Sequence, residues 1–298
     1  MTGQIKKSVP LLLKQAEMAS IDTWFALRIA IAAFGAALFM SAAISTTPVV
    51  YPVSAEERGV ISLWSVGLER ISGAINNLRS IAGGTRSLSH TSRALQELEA
   101  RRLVLQSVID YLLQEAQQAH IQLNALVDLD PFIKQRLANE LDDNTLWFNG
   151  MSQNIRSGRS ADQLRIMAND IQQYRRNHHT ILIRQISTLS LFQRQEIMLA
   201  TAGDRLEKIQ SDLTSLEKND IDTAEFRVLF QNAAAHVQGG NASLNQAQLI
   251  LKRIIPAYDE ARHLEQINTA QQLIHESYVS VRAAYKLFIT MAQRAGGV

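Results

Sequence analysis

Residues 160–217 read SADQLRIMANDIQQYRRNHHTILIRQISTLSLFQRQEIMLATAGDRLEKIQSDLTSLE. Leu164, Met167, Ile171, Tyr174, His178, Ile181, Gln185, Thr188, Phe192, Gln195, Leu199, Ala202, Leu206, Ile209, Leu213 and Leu216 succeed one another here by steps of three and four. That alternation keeps one stripe of a helix turned toward a neighbour, in the manner of a coiled coil. As a single helix the stripe would run about 80 Å at 1.5 Å per residue. Leu182, Ile186 and Leu189 add a second apolar face, so the middle of this helix is expected to meet two neighbours at once. Gly203 is the place where it would break.

Working upstream, Gly158 with Ser160 and Asp162 after it reads as a helix stop and a new cap, and Asp130-Pro131 as a helix start. Before that corner a further stripe holds the same three–four spacing: Leu95, Leu98, Arg102, Leu105, Ile109, Leu112, Ala116, Ala119, Leu123 and Leu126. Arg102 is its single charge, placed either to set register against a facing acid or to reach solvent from the stripe edge. Gly83-Gly84 ends a helix that starts near Glu57, and Ser87 or Ser89 caps the next. Downstream, Asn219–Thr223 closes the long helix and caps another, for which Gly239-Gly240 is the expected end. Asn241 or Ser243 then caps a last helix that Pro256 bends. No stretch of this body alternates in the way of a strand. The reading is all-α: elongated helical hairpins in a long-helix bundle with coiled-coil-like packing. The two Asp-hydrophobic-Asp corners, each with a Gly-containing corner after it, suggest two tandem hairpin-like units at about residues 88–218 and 200–295.

Ahead of this body, residues 24–44 read WFALRIAIAAFGAALFMSAAI, with Arg28 the only charge. About 20 apolar residues suffice to span a bilayer as a helix. Lys6, Lys7, Lys14 and Arg28 flank one side, Glu56 and Glu57 the other, which places the N-terminus in the cytoplasm and the body outside. Trp24, Phe34 and Phe39 join Arg28 as the anchoring side chains. Small residues at Ser41/Ala43 and Val53/Ala55 also fit a signal-peptidase pattern, so cleavage to a secreted or periplasmic protein is the second outcome. An Ala-rich helix buried in a soluble core is the third. The expected organisation is therefore a cytoplasmic segment 1–23, an anchor or signal 24–45, a Pro-containing linker 46–56 and a helical extracytoplasmic domain 57–298.

Charge narrows the partners. The chain of 298 residues carries a net charge of +2, and all of it lies in residues 1–55, where four basic groups face two acidic ones; the remainder holds 26 of each sign. A neutral body lacks the surplus of Lys and Arg that phosphate backbones select, so nucleic acid is not the expected partner. With no Cys there is no disulfide, thiolate nucleophile or Cys-bound metal.

Two constellations remain. Glu260 and His263 have the i, i+3 spacing of di-iron bundles, but no second such pair exists in the sequence, so they are weak metal candidates and no cofactor is expected. Arg175, His178 and His179 concentrate charge and imidazole; His178 lies on the stripe and His179 about 100° away. With Tyr174, Phe192 and Arg102 they form the candidate ligand or interface set. The function these features suggest is non-enzymatic: a membrane-tethered or secreted helical scaffold of the cell envelope, binding a protein partner or itself through its apolar stripes. The alternatives are a small-ligand sensor or carrier with a pocket near Tyr174, His178 and Phe192, and a structural subunit of a membrane complex.

Overall fold

The computed structural model describes residues 55–83, 90–254 and 260–295. The expected membrane segment with Trp24, Arg28, Phe34 and Phe39, the linker up to residue 54, and Pro256 lie outside the described residues. Those described are helical almost throughout, with no strand among them. In chain order the helices are α1 (Ala55–Gly83), α2 (His90–Ala125), α3 (Pro131–Ser157), α4 (Ala161–Tyr174), a π-helical turn (Arg175–His179), α5 (Thr180–Glu217), α6 (Ala224–Ile254) and α7 (Glu260–Ala295). None of these helices is long and apolar enough to cross a membrane.

Several termini form for the reasons the sequence supplies. Asp130 Oδ1 accepts from the backbone N–H of Phe132 at 2.9 Å and of Ile133 at 3.2 Å, which opens α3 with Pro131 in its first turn. Ser160 accepts from Gln163 N–H at 3.2 Å, while Gln163 Oε1 accepts from Arg159 N–H at 2.7 Å. Two orphan donors at the start of α4 are thereby satisfied. Helix α1 is described from Ala55, in keeping with a start near Glu57.

The helices divide into two units. One comprises the chain through Gln118 together with Thr145–Arg175, the other Ala119–Asn144 and Arg176–Val298. In the first, α1, the larger part of α2, the end of α3 and α4 enclose a core of large side chains, among them Ile71, Ile75, Leu105, Ile109, Leu112, Phe148, Ile155 and Leu164. Trp147 and Tyr174 stack at 3.9 Å with their planes 2° apart, and Phe148 meets both rings edge-on. In the second unit the core between α5, α6 and α7 is built on Ala202, Ala233, Ala247 and Ala284 as much as on Leu199, Val281 and Phe288. Gly240 of α6 meets Ser277 and Val281 near the middle of α7, and Glu225 near the start of α6 pairs with Arg294 near the end of α7. Helices α6 and α7 therefore run antiparallel.

Three expectations fail. Gly239-Gly240 ends nothing: α6 passes through both, and neither has a positive φ. A Cβ on Gly240 would stand 3.2 Å from Leu199 Cδ2 and 3.3 Å from the Ser277 carbonyl oxygen, so glycine is there to let three helices approach. The cap expected at Asn241 or Ser243, and the second corner of the internal repeat, are absent for the same reason. Next, the last helix expected to run on from Asn241 or Ser243 is two helices, α6 and α7, which run antiparallel on either side of residues 255–259, outside the described residues. Lastly, α5 continues through Gly203, which the predicted break would have interrupted.

Candidate functional site

The stripe of residues 164–216 stays buried or half-buried on both sides of the π-helical turn, and departs from that only at His178, within the turn where the chain takes an extra residue, and at Leu216, its end. His179 is consequently 1% exposed and His178 lies outside, the reverse of the expected assignment. Beyond the turn Ile181, Leu182, Ile183, Ile186 and Leu189 are all buried, which agrees with a two-sided middle segment.

The candidate ligand residues do not converge. Tyr174 is spent in the aromatic stack of the first unit, whereas Phe192 packs against the alanine-rich core of the second. Arg175 stands near Tyr111, which is buried beside Glu115; burial first, and Glu115 second, hold the Tyr111 hydroxyl above its ordinary range, with Arg175 opposing. Arg102 does neither of the things expected of it. Its guanidinium donates to the Gly158 carbonyl oxygen, with Nε at 3.1 Å, and also reaches Glu99. A cation thus caps the carboxyl end of α3, where the helix dipole favours it. His263 is half-buried on α7, the Glu260 side chain lies outside the described residues, and among these no three His, Asp or Glu side chains group as a metal site would need.

What the structure does assemble is a polar seam and a groove. In the second unit Arg184 Nη1 donates to Asn268 Oδ1 at 3.1 Å, Gln271 Nε2 to Thr188 Oγ1 at 2.9 Å, and Gln195 Nε2 to Ser277 Oγ at 3.0 Å. Both helices advance together along these pairs, so α5 and α7 are parallel. Gln195 and Ser277 are buried, and each satisfies a group that would otherwise be costly in an apolar core. Sequence reading placed Thr188 and Gln195 on the stripe but offered no signal for their partners.

The groove lies in the first unit. It encloses about 700 Å³ and is lined by Ile81, Leu95, Ala100, Leu103 and Ile155, with Gln106 and Arg156 among its polar members. Leu95 is 60% and Leu103 50% exposed, while the same stripe is fully buried from Leu105 to Leu126. Leu103 was missed because it lies off the three–four series; an apolar residue beside Arg102 was its only signal.

The corner between α5 and α6 is the most polarised feature. Arg227 donates to both carboxylate oxygens of Glu217 at 2.7 and 2.6 Å, and Thr223 Oγ1 donates to the same group at 2.6 Å. These hydrogen bonds pull the Glu217 carboxyl down to about 2. Asp220 turns the chain with φ 57, and Asp222 Oδ1 accepts from Ala224 N–H at 2.9 Å. This arrangement joins the end of α5 to the start of α6. Compared with protein-family models, curated proteins and solved structures, the chain matches none.

Proposed function

We propose that this chain is a non-enzymatic helical interaction protein of the cell envelope, tethered by residues 24–45 or released from them, whose body is a scaffold for protein contacts. The finer architecture belongs to the same proposal: hairpins packed in a coiled-coil manner behind an N-terminal hydrophobic helix. One observation carries it. The long stripes are mostly buried within the chain's own cores, yet the α2 stripe emerges uncovered at Leu95 beside an apolar groove. Exposed apolar surface concentrated in a groove is the ordinary mark of a protein-binding surface.

Fractionation of cells carrying the full chain, with alkaline extraction of the membranes, tests the location. A tethered chain stays with the membrane pellet and a released one appears in the extracytoplasmic fraction. Recovery of the intact chain in the cytosolic supernatant overturns the envelope assignment.

A further inference from the structure

Two surfaces of the chain lack what the other supplies. The first is the groove of the first unit. Leu95 and Leu103 stand open on its wall, and Arg156 among its lining residues has no ion-pair partner among the described residues. Gln106 also lines it, and its Nε2 donates to Ser152 Oγ at 2.6 Å.

The second surface is the corner between α2 and α3, in the second unit. Val127 is 78% and Phe132 79% exposed there, the two most exposed large apolar side chains among the described residues. The corner is acidic in net effect. Lys134 is committed to the carbonyl oxygens of Asn124 and Leu126, at 3.0 and 2.9 Å, as a cap on α2. Asp128 lies close enough to Glu196 to help hold that carboxyl above its ordinary range; burial is the larger cause, and Lys252 opposes both. Two carboxylates crowded beside exposed Val and Phe call for an apolar surface bearing a cation.

We propose that the groove of one copy receives the Val127–Phe132 corner of a second copy, with Phe132 against Leu95 and Leu103 and Asp128 facing Arg156. The inference rests on the interaction-protein reading above and names its partner as the chain itself. The groove fits the size of pockets that bury compact apolar groups, about 300–1,000 Å³. Its charge suits the corner, and the two patches are different parts of the same molecule. The contact joins unlike patches, so position 103 of one copy comes to lie beside position 127 of the other.

The absence of native cysteine makes the test direct. Full-length Leu103→Cys and Val127→Cys chains, purified in mild detergent, are oxidised separately and as an equal mixture. The mixed 103–127 disulfide is expected well above the twofold excess over either symmetric one that random pairing gives, because the contact brings unlike positions together. Phe132→Asp in the Val127→Cys chain abolishes the mixed product while its circular dichroism stays that of the parent, since Phe132 is exposed. Arg156→Glu reduces the yield, and Asp128→Lys in the partner chain restores it. Wild-type mass by sedimentation rises with concentration. A mixed disulfide no more than twice either symmetric one, or a wild-type mass of one chain at every concentration, overturns the proposal. If wild type stays single but Leu103→Asp loses a cross-link to a different protein, self-docking fails and the interaction reading stands. If no cross-link depends on Leu103 in cells or in solution, both fail.

Discussion

Gly158 and the pair Gly239-Gly240 have the same chemistry, and the chain does opposite things at them. At Gly158 the helix ends: its N–H reaches back to the Ile155 carbonyl at 3.3 Å, its own carbonyl is held by Arg102, and Ser160 and Gln163 cap the next helix two residues later. At Gly239-Gly240 the helix continues, with no Pro or cap to stop it, and Gly240 becomes a point of close approach between α6 and its neighbours. A glycine lowers the cost of either outcome. The outcome is chosen by what surrounds it: a set of hydrogen-bonding partners that terminates the helix, or a pair of helices that need the missing side chain.

The largest effect that could break this comparison is at Gly240. Gly240→Leu forces a side chain into Leu199 and the Ser277 backbone, and overpacking of this kind costs about 2–3 kcal/mol, read as a lower thermal midpoint with helicity retained at low temperature. A midpoint equal to wild type would mean that the three helices are not in close contact there. Arg102→Ala removes the charged donor from the Gly158 carbonyl and is expected to destabilise by about 1.5 kcal/mol in denaturant titration. If it costs nothing, the cap at Gly158 is not what ends α3. Gly239→Ala should act with the opposite sign: nothing lies within 4 Å of the added Cβ, so the gain in helix propensity, about 0.5–1 kcal/mol, raises the midpoint. Two adjacent glycines with effects of opposite sign separate close packing from helix termination.

The smallest effect concerns the corner that ends a helix without any glycine. Glu217 is held down to about 2 from an ordinary value of 4.5 by Arg227 and Thr223. A depressed carboxyl contributes its stability in full above the ordinary value and loses it as pH falls from there through the depressed one. Wild type should therefore lose stability relative to Glu217→Gln between about pH 5 and pH 2, with no change in their difference at higher pH. Because the pair is partly exposed, added salt should shrink that difference. Chemical denaturation at a series of pH values measures it.

Much of the secondary structure was legible in the chain alone. The Asp130-Pro131 start, the Gly158–Ser160 stop and cap, and the corner at 219–223 each depend on neighbours within a few residues, so their signals are written side by side. The buried run Leu105–Leu126 was legible for the related reason that helical period alone sets which side chains share a face. The candidate site was not. Tyr174, His178 and Phe192 keep one period in sequence, but a single π-helical turn moves His179 inward in place of His178, and that turn carries no residue pattern of its own. Gln195 shows its polarity in the sequence, yet Ser277 lies a whole hairpin away, and nothing local connects the two.

The amino-acid sequence by itself determined that this protein is helical, where most of its helices begin and end, and that its cysteine-free body carries balanced charge. These come from propensity, capping and periodicity, whose reach is one or two turns. Only the tertiary structure decided that Gly240 is a crossing point, that α6 and α7 are antiparallel, that Arg102 caps a helix 56 residues away, and that the α2 stripe surfaces in a groove. Each of those depends on which helices become neighbours, and that choice is made by the packing of whole faces, which no short stretch of chain contains.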